Sequence, residues 1–169
     1  MKRTDLVVGR WGARFCGRMF PCALGRGGIA EVKREGDGVT PAGTFRVIGL
    51  LYRPDRVGRA RLPDWALPIG PFDLWSDDPK DPDYNHHLPG RGRHRFSAER
   101  LARADGLYDA LMVLDHNWPG AVPGRGSAIF VHCWRGPRVP TAGCVAFAKP
   151  DFLWIAARFR PESRVVIRG

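Results

Sequence analysis

The chain reads as a mainly β, single-domain sandwich with one or two short helices, and three features of the sequence predict this. Its apolar residues fall in short stretches rich in Val, Ile, Phe and Thr that alternate with polar neighbours, the two-residue period of half-buried strands. Those stretches are separated by turn formers, with 21 Gly and 15 Pro in the chain. The length of 169 residues suits one domain with a real core, so residues 1–169 are taken as a single unit. A hydrophobic share of 44% sets the chain apart from disordered sequences, and no repeat or low-complexity tract interrupts it.

In chain order, residues 5–8 and 29–34 are expected as early strands, the second bounded by Gly27, Gly28 and Gly36. Two turns follow, one over Glu35-Gly-Asp-Gly38 and one over Thr40-Pro-Ala-Gly43, before a strand over 44–50. The run Gly25-Arg-Gly-Gly28 has no P-loop lysine after it and opens no helical pattern, so it reads as a tight turn rather than a phosphate cradle. Residues 51–95 are irregular, heavy in Pro, Asp and Gly, and loops of that length serve function or move. Asp77, Asp78, Asp81 and Asp83 lie in this stretch without the spacing or terminal Glu of a calcium loop. Ser97 is placed to cap a short helix through Leu101 and Ala104, followed by a strand over 107–115 that Asp115-His116-Asn117 ends. Pro150 and Asp151 suit a helix first turn, with Phe152, Ile155, Ala156 and Phe159 on one face. A strand over 164–167 closes the chain.

Chemistry concentrates in residues 126–148, GSAIFVHCWRGPRVPTAGCVAFA. Residues 127–132 read as a strand with His132 near its end, facing a cleft. Gly136, Pro137 and Pro140 break pairing and make the following segment an exposed loop that carries the chain round to Cys144. A free thiol is only slightly ionised near neutral pH, so a cysteine nucleophile needs a base, and His132 supplies an imidazole. Gly143 lets backbone approach a substrate, and the amides of Gly143 and Cys144 are expected to form an oxyanion hole. A small buried hydrophobe is the other reading of a Cys followed by Val-Ala-Phe-Ala, and spacing alone leaves both open.

Five phrases, two of them overlapping, resemble the YkuD/ErfK-type L,D-transpeptidase catalytic domain. They are the segment just quoted, LGRGGIAEVKREGDGVTPAGTF (residues 24–45), the Asp-Asp-Pro then Tyr-Asn pattern within 75–85, ERLARADGLYDALMVLDHN (99–117) and PGRGSAIFVH (123–132). The resemblance implies a YkuD-like β-sandwich and acyl transfer without a cofactor. Cys144 would attack the carbonyl at the L-centre of a diamino acid in a peptidoglycan stem peptide, expelling D-alanine, with His132 as base. An amine from a second stem would then make a cross-link, or water would make the protein an L,D-carboxypeptidase. A non-catalytic wall-binding module on the same fold is the competing class. The resemblance also places the Tyr84-Asn85 segment by the cleft, where a capped turn is the other reading. Thr141 and His116 are further candidates for the substrate side, and a locally hydrogen-bonded histidine at a strand end is the preferred reading of His116. Carbapenem-type β-lactams are expected as inhibitors, and a monomer is expected. The sequence departs from the commoner motif at Ala142, where a histidine is usual, and at Ala146-Phe147, where an Arg or Asn often follows. The gap between His132 and Cys144 is also shorter than in the commoner form.

The formal charge of +10 comes from arginine far more than from Lys2, Lys33, Lys80 and Lys149. The arginines are scattered and accompany no groove-reading motif, so nucleic acid is not expected as a partner, and a carboxylate-bearing wall polymer suits the same charge. Four cysteines permit a Cys16–Cys22 disulfide in an oxidising compartment, and two reduced thiols are expected instead. A metal reading would recruit His86, His87, His132, Cys133 and Cys144, but strand neighbours point to opposite faces, so no metal is expected. The N-terminal residues lack the apolar run of a signal peptide, interrupted as they are by Arg10 and Arg14, and no stretch reaches membrane-spanning length. The resemblance implies a periplasmic or wall-facing site of action; the residues alone leave the cytoplasm open.

Overall fold

The structure, a computed structural model, describes residues 2–169. Its strands are β1 (Leu6–Gly9), β2 (Gly12–Phe15), β3 (Arg18–Phe20), β4 (Ile29–Ala30), β5 (Thr40–Pro41), β6 (Gly43–Tyr52), β7 (Leu67–Pro68), β8 (Leu74–Ser76), β9 (His87–Leu88), β10 (Ala98–Arg100), β11 (Ala110–Leu114), β12 (Phe130–Cys133), β13 (Val145–Phe147) and β14 (Arg164–Ile167). One helix, α1 (Lys149–Ala156), joins β13 to the last strand. The chain is thus mainly β, as its alternating pattern requires.

A nine-stranded sheet runs in the order β13-β12-β11-β6-β14-β1-β2-β3, with β7 paired alongside β6. The ten-residue β6 is its spine, because it carries β14 along its first half and β11 along its second. Strand alternation then divides the sheet's side chains between two cores. One holds Met112, Val131, Val145 and Phe147 and is covered by Phe152, Ile155, Ala156 and Phe159 from α1 and the turn after it. The other holds Leu51, Leu111, Val113 and Phe130, packed against Trp75 and Leu101. Trp75 belongs to a second sheet, β10-β8-β9, so the site face of the main sheet is layered by a small one. The Trp75 ring meets Phe130 edge-on at 5.1 Å, in the T-shaped geometry aromatic quadrupoles favour.

Three local expectations are overturned. The residues after Ser97 form β10, an extended partner of β8 with Glu99 opposite Trp75, where a capped helix was expected. Extension lets Glu99 accept the hydroxyl of Tyr108, a non-local bond that no helical propensity registers. The second early strand ends at Ala30 instead of Arg34, because Lys33 turns inward to pair with Asp37. The irregular stretch 51–95 contains β7, β8 and β9, too short to show a period. Its aspartates are structural: Asp81 accepts the Ser76 hydroxyl at 2.5 Å, and His94 Nε2 lies 2.5 Å from the same carboxylate. The four cysteines are all unpaired thiols.

Candidate active site

His132 and Cys144 reach the same face of the main sheet through a register that alternation alone fixes. His132 on β12 is paired with Ala146 on β13 and with Leu111 on β11. Its neighbours Val131 and Cys133 point into the helix-covered core, whereas Phe130 points to the other side, and His132 follows Phe130. Val145 and Phe147 likewise face the helix, which leaves Cys144 packed with Phe130 and Leu111. Thiol and imidazole line one cavity of about 380 Å3.

The Cys144 side chain is buried between two backbone groups. Its Sγ donates to the Ala128 carbonyl at 3.2 Å and accepts the Phe130 amide at 3.4 Å. Burial pushes the thiol up to about 12, and the charge of Glu99 pushes the same way, against the pull of the Phe130 amide and the Lys33 charge. His132 is equally enclosed. Its Nδ1 lies 2.8 Å from the Cys133 carbonyl. A carbonyl only accepts, so Nδ1 carries the proton and Nε2 is left as the basic nitrogen. The Tyr108 ring stands edge-on to the imidazole, centroids 5.3 Å apart and planes at 88°. Burial lowers His132 to about 4. At neutral pH the resting cavity therefore holds a neutral thiol, its proton directed at the Ala128 carbonyl, and a neutral imidazole.

The loop that presents Cys144 is braced from behind. The Thr141 hydroxyl donates to the Cys144 carbonyl at 2.7 Å and accepts the Gly143 amide at 3.1 Å. The Gly143 amide is thus engaged by Thr141 and does not point into the cavity as the sequence suggested. The Cys144 amide meets no acceptor among the described residues. Gly143 has φ +145°, and a Cβ there would sit 2.9 Å from the Val39 carbonyl, so only glycine fits. The turn at Gly25-Arg-Gly-Gly28 is the brace. Thr141 donates its amide to Leu24 and accepts that of Arg26, at 2.9 and 3.0 Å, and Gly28 closes the turn on Gly25 at 2.9 Å.

Of the other residues expected on the substrate side, Thr141 lines the cavity, whereas Tyr84, Asn85 and His116 stand outside it. Tyr84 is buried and donates its hydroxyl to Glu35. Asn85, at φ +59°, spends its amide group on the carbonyls of His116 and Asn117 at 3.1 and 2.8 Å. Its oxygen accepts Trp75 Nε1 at 3.1 Å and the Ala128 amide at 3.0 Å. Asn85 therefore fixes the segment whose carbonyl holds the Cys144 thiol. His116 Nε2 lies 2.9 Å from the Arg125 carbonyl, in a separate depression on the other side of Lys33.

Sequence reasoning missed the charged lining of the cavity, notably Lys33, Glu99, Tyr108 and Arg103. Lys33 is a lysine with only 8% of its surface exposed. Its Nζ pairs with Asp37 and donates to the Arg34 carbonyl at 2.8 Å, and its stem runs under Gly126 and Gly143. Among the described residues no three His, Cys, Asp or Glu side chains are placed to hold a metal ion.

A thiol and an imidazole line one cavity on one face of the sheet, and these are the residue types that cysteine acyl transfer uses. Residues 16–167 match the model of the YkuD family, the L,D-transpeptidase catalytic domain, and the chain belongs to that family. Comparison with curated proteins and with solved structures finds no match. The family acts on peptidoglycan. Among the described residues no helix is long and apolar enough to cross a membrane.

Proposed function

We propose that the protein is a cysteine-dependent peptidoglycan L,D-transpeptidase with Cys144 as nucleophile and His132 as base. The observation that carries this reading is the shared cavity of Cys144 and His132, with Nδ1 of the imidazole tied to a carbonyl so that Nε2 is the free base. Because the resting pair is neutral, the proton moves when substrate arrives: Nε2 takes the thiol proton as Sγ attacks the carbonyl of the stem peptide's L-centre. The Cys144 amide steadies the oxyanion, the imidazolium protonates the departing D-alanine amine, and a thioester remains. An amine of a second stem resolves it as a cross-link; water resolves it as a carboxypeptidase product. A wall-facing site of action goes with this reading, supported by the family's action on peptidoglycan.

An inert, wall-binding module is a second reading, favoured by one observation, the burial that raises the Cys144 thiol to about 12. Purified muropeptides separate the two. The transpeptidase yields a cross-linked product and an acyl-enzyme mass on the intact protein. A binding module retains insoluble wall material and yields neither.

A further inference from the structure

Resting on the transpeptidase reading, we propose that Glu99 is the acceptor subsite, the carboxylate that receives the primary ammonium of the incoming stem peptide and takes its first proton.

Glu99 lines the same cavity as Cys144 and His132. Its Oε2 accepts the Tyr108 hydroxyl, and Tyr108 in turn sets its ring against His132. Its Oε1 meets no donor among the described residues and is not sealed off from solvent. No cation lies in ion-pair reach of Glu99 among the described residues, since the nearby guanidinium of Arg103 is bound to Asp105 at 2.5 Å and lies over the Tyr108 ring. A largely enclosed carboxylate without a cation is an unusual thing to build, because burying a charge is costly unless it is paired. Asp77 lines the same cavity, and its Oδ1 is buried with no partner at all. Burial, with the Asp77 charge acting the same way, raises the Glu99 carboxyl and makes it a better proton acceptor than an ordinary carboxylate. A cationic ligand at Glu99 also offsets the like charge of Asp77.

The chemistry needs such a group. An alkyl amine is protonated near neutral pH and has no lone pair to attack with. At Glu99 the ammonium gives one proton to Oε1 and becomes the free amine. Its nitrogen attacks the thioester carbonyl carbon, the C–N bond forms, and His132 Nε2 takes the second nitrogen proton. The C–S bond breaks, and that proton passes to the departing Cys144 sulfur. The balance is thioester plus ammonium going to amide, thiol and one proton, which Glu99 releases to solvent. Water needs no such site, so Glu99 biases the acyl-enzyme toward cross-linking.

The test reads the ratio of cross-linked amide to hydrolysed acid formed from one acyl-enzyme, so it does not depend on how fast that species forms. Purified muropeptide serves as donor and ammonium acceptor, and hydroxylamine, uncharged near neutral pH, serves as the second nucleophile. Glu99→Gln is expected to lower the amide-to-acid ratio roughly tenfold, the effect of one charge-assisted hydrogen bond, and to leave the hydroxamate-to-acid ratio in place. Tyr108→Phe, which removes the hydroxyl holding Oε2 and keeps the ring, shifts the ratio in the same direction and serves if Glu99→Gln does not fold. An unchanged ratio, or an equal fall for hydroxylamine, overturns the subsite while the acyl-enzyme stands. A wild type that acylates but yields only acid also overturns it. A wild type that forms no acyl-enzyme overturns the transpeptidase reading beneath it.

Discussion

The Thr141 hydroxyl is clamped to Cys144, donating to its carbonyl at 2.7 Å while it accepts the Gly143 amide at 3.1 Å. One side chain therefore holds the peptide groups on either side of the one that joins Gly143 to Cys144.

Removing that hydroxyl leaves the Gly143 amide and the Cys144 carbonyl without their partner. Thr141→Val is expected to cost about 1–3 kcal/mol of stability and to slow acylation of Cys144 by a β-lactam, whereas Thr141→Ser retains both. Chemical denaturation and stopped-flow acylation measure the two effects; a Val variant that acylates like wild type shows that the clamp does not position the thiol.

With His132 as the proposed base, its lowered value sets the acid limb expected of acylation. Nε2 must be unprotonated to act as base, and burial holds the group near 4 rather than 6.5. Acylation rates are therefore expected to stay level from neutrality to about pH 5 and to fall only as pH passes through about 4. A midpoint near 6.5 in the rate profile contradicts the buried, neutral histidine.

Stability follows the same group with a definite sign. A histidine whose folded value is depressed binds a proton more readily in the unfolded chain, so stability is lost as pH falls from 6.5 toward 4 and no further loss comes from this group below that. His132 contributes on the order of 3 kcal/mol to that loss, and His116, lowered by burial, acts in the same direction. His132→Gln should flatten the dependence of unfolding free energy on pH across this window; an equally steep profile in the variant places the proton uptake elsewhere.

Resting reactivity separates the cysteines by enclosure. Burial raises Cys22 and Cys133 to about 11 and Cys144 to about 12, while Cys16 is only half-buried. Iodoacetamide near neutral pH is therefore expected to label Cys16 ahead of Cys144, as peptide mapping will show. Preferential labelling of Cys144 means that a thiolate is already formed in the resting enzyme.

What the sequence reveals depends on whether the decisive contacts are local. The closing strand over 164–167 and the α1 face of Phe152, Ile155 and Ala156 were legible, because alternation and a proline in the first helical turn act within a few residues. Residues 97–104 were misread because Glu99 finds Tyr108 and pairs opposite Trp75, contacts set by the sheet. His132 and Cys144 were legible as chemistry, since few residue types make a base and a nucleophile. Asn85 was named for the substrate side, yet all four of its hydrogen bonds are spent within the fold, which only the assembled loops reveal. Lys33 and Glu99 went unnoticed because charged residues separated by dozens of positions carry no local mark of sharing a cavity.

The central claim is that Cys144 is an acylating nucleophile, and a carbapenem tests it most directly, because the strained ring offers a carbonyl while asking little of the peptide-binding surface around Ala142. Intact-protein mass spectrometry of the folded wild type is expected to give one covalent adduct per chain, mapped to Cys144, and Cys144→Ser with an unchanged circular dichroism spectrum is expected to lose most of it, since a hydroxyl ionises far less readily than a thiol. No adduct on folded wild type, or an adduct that persists undiminished in Cys144→Ser, contradicts the assignment.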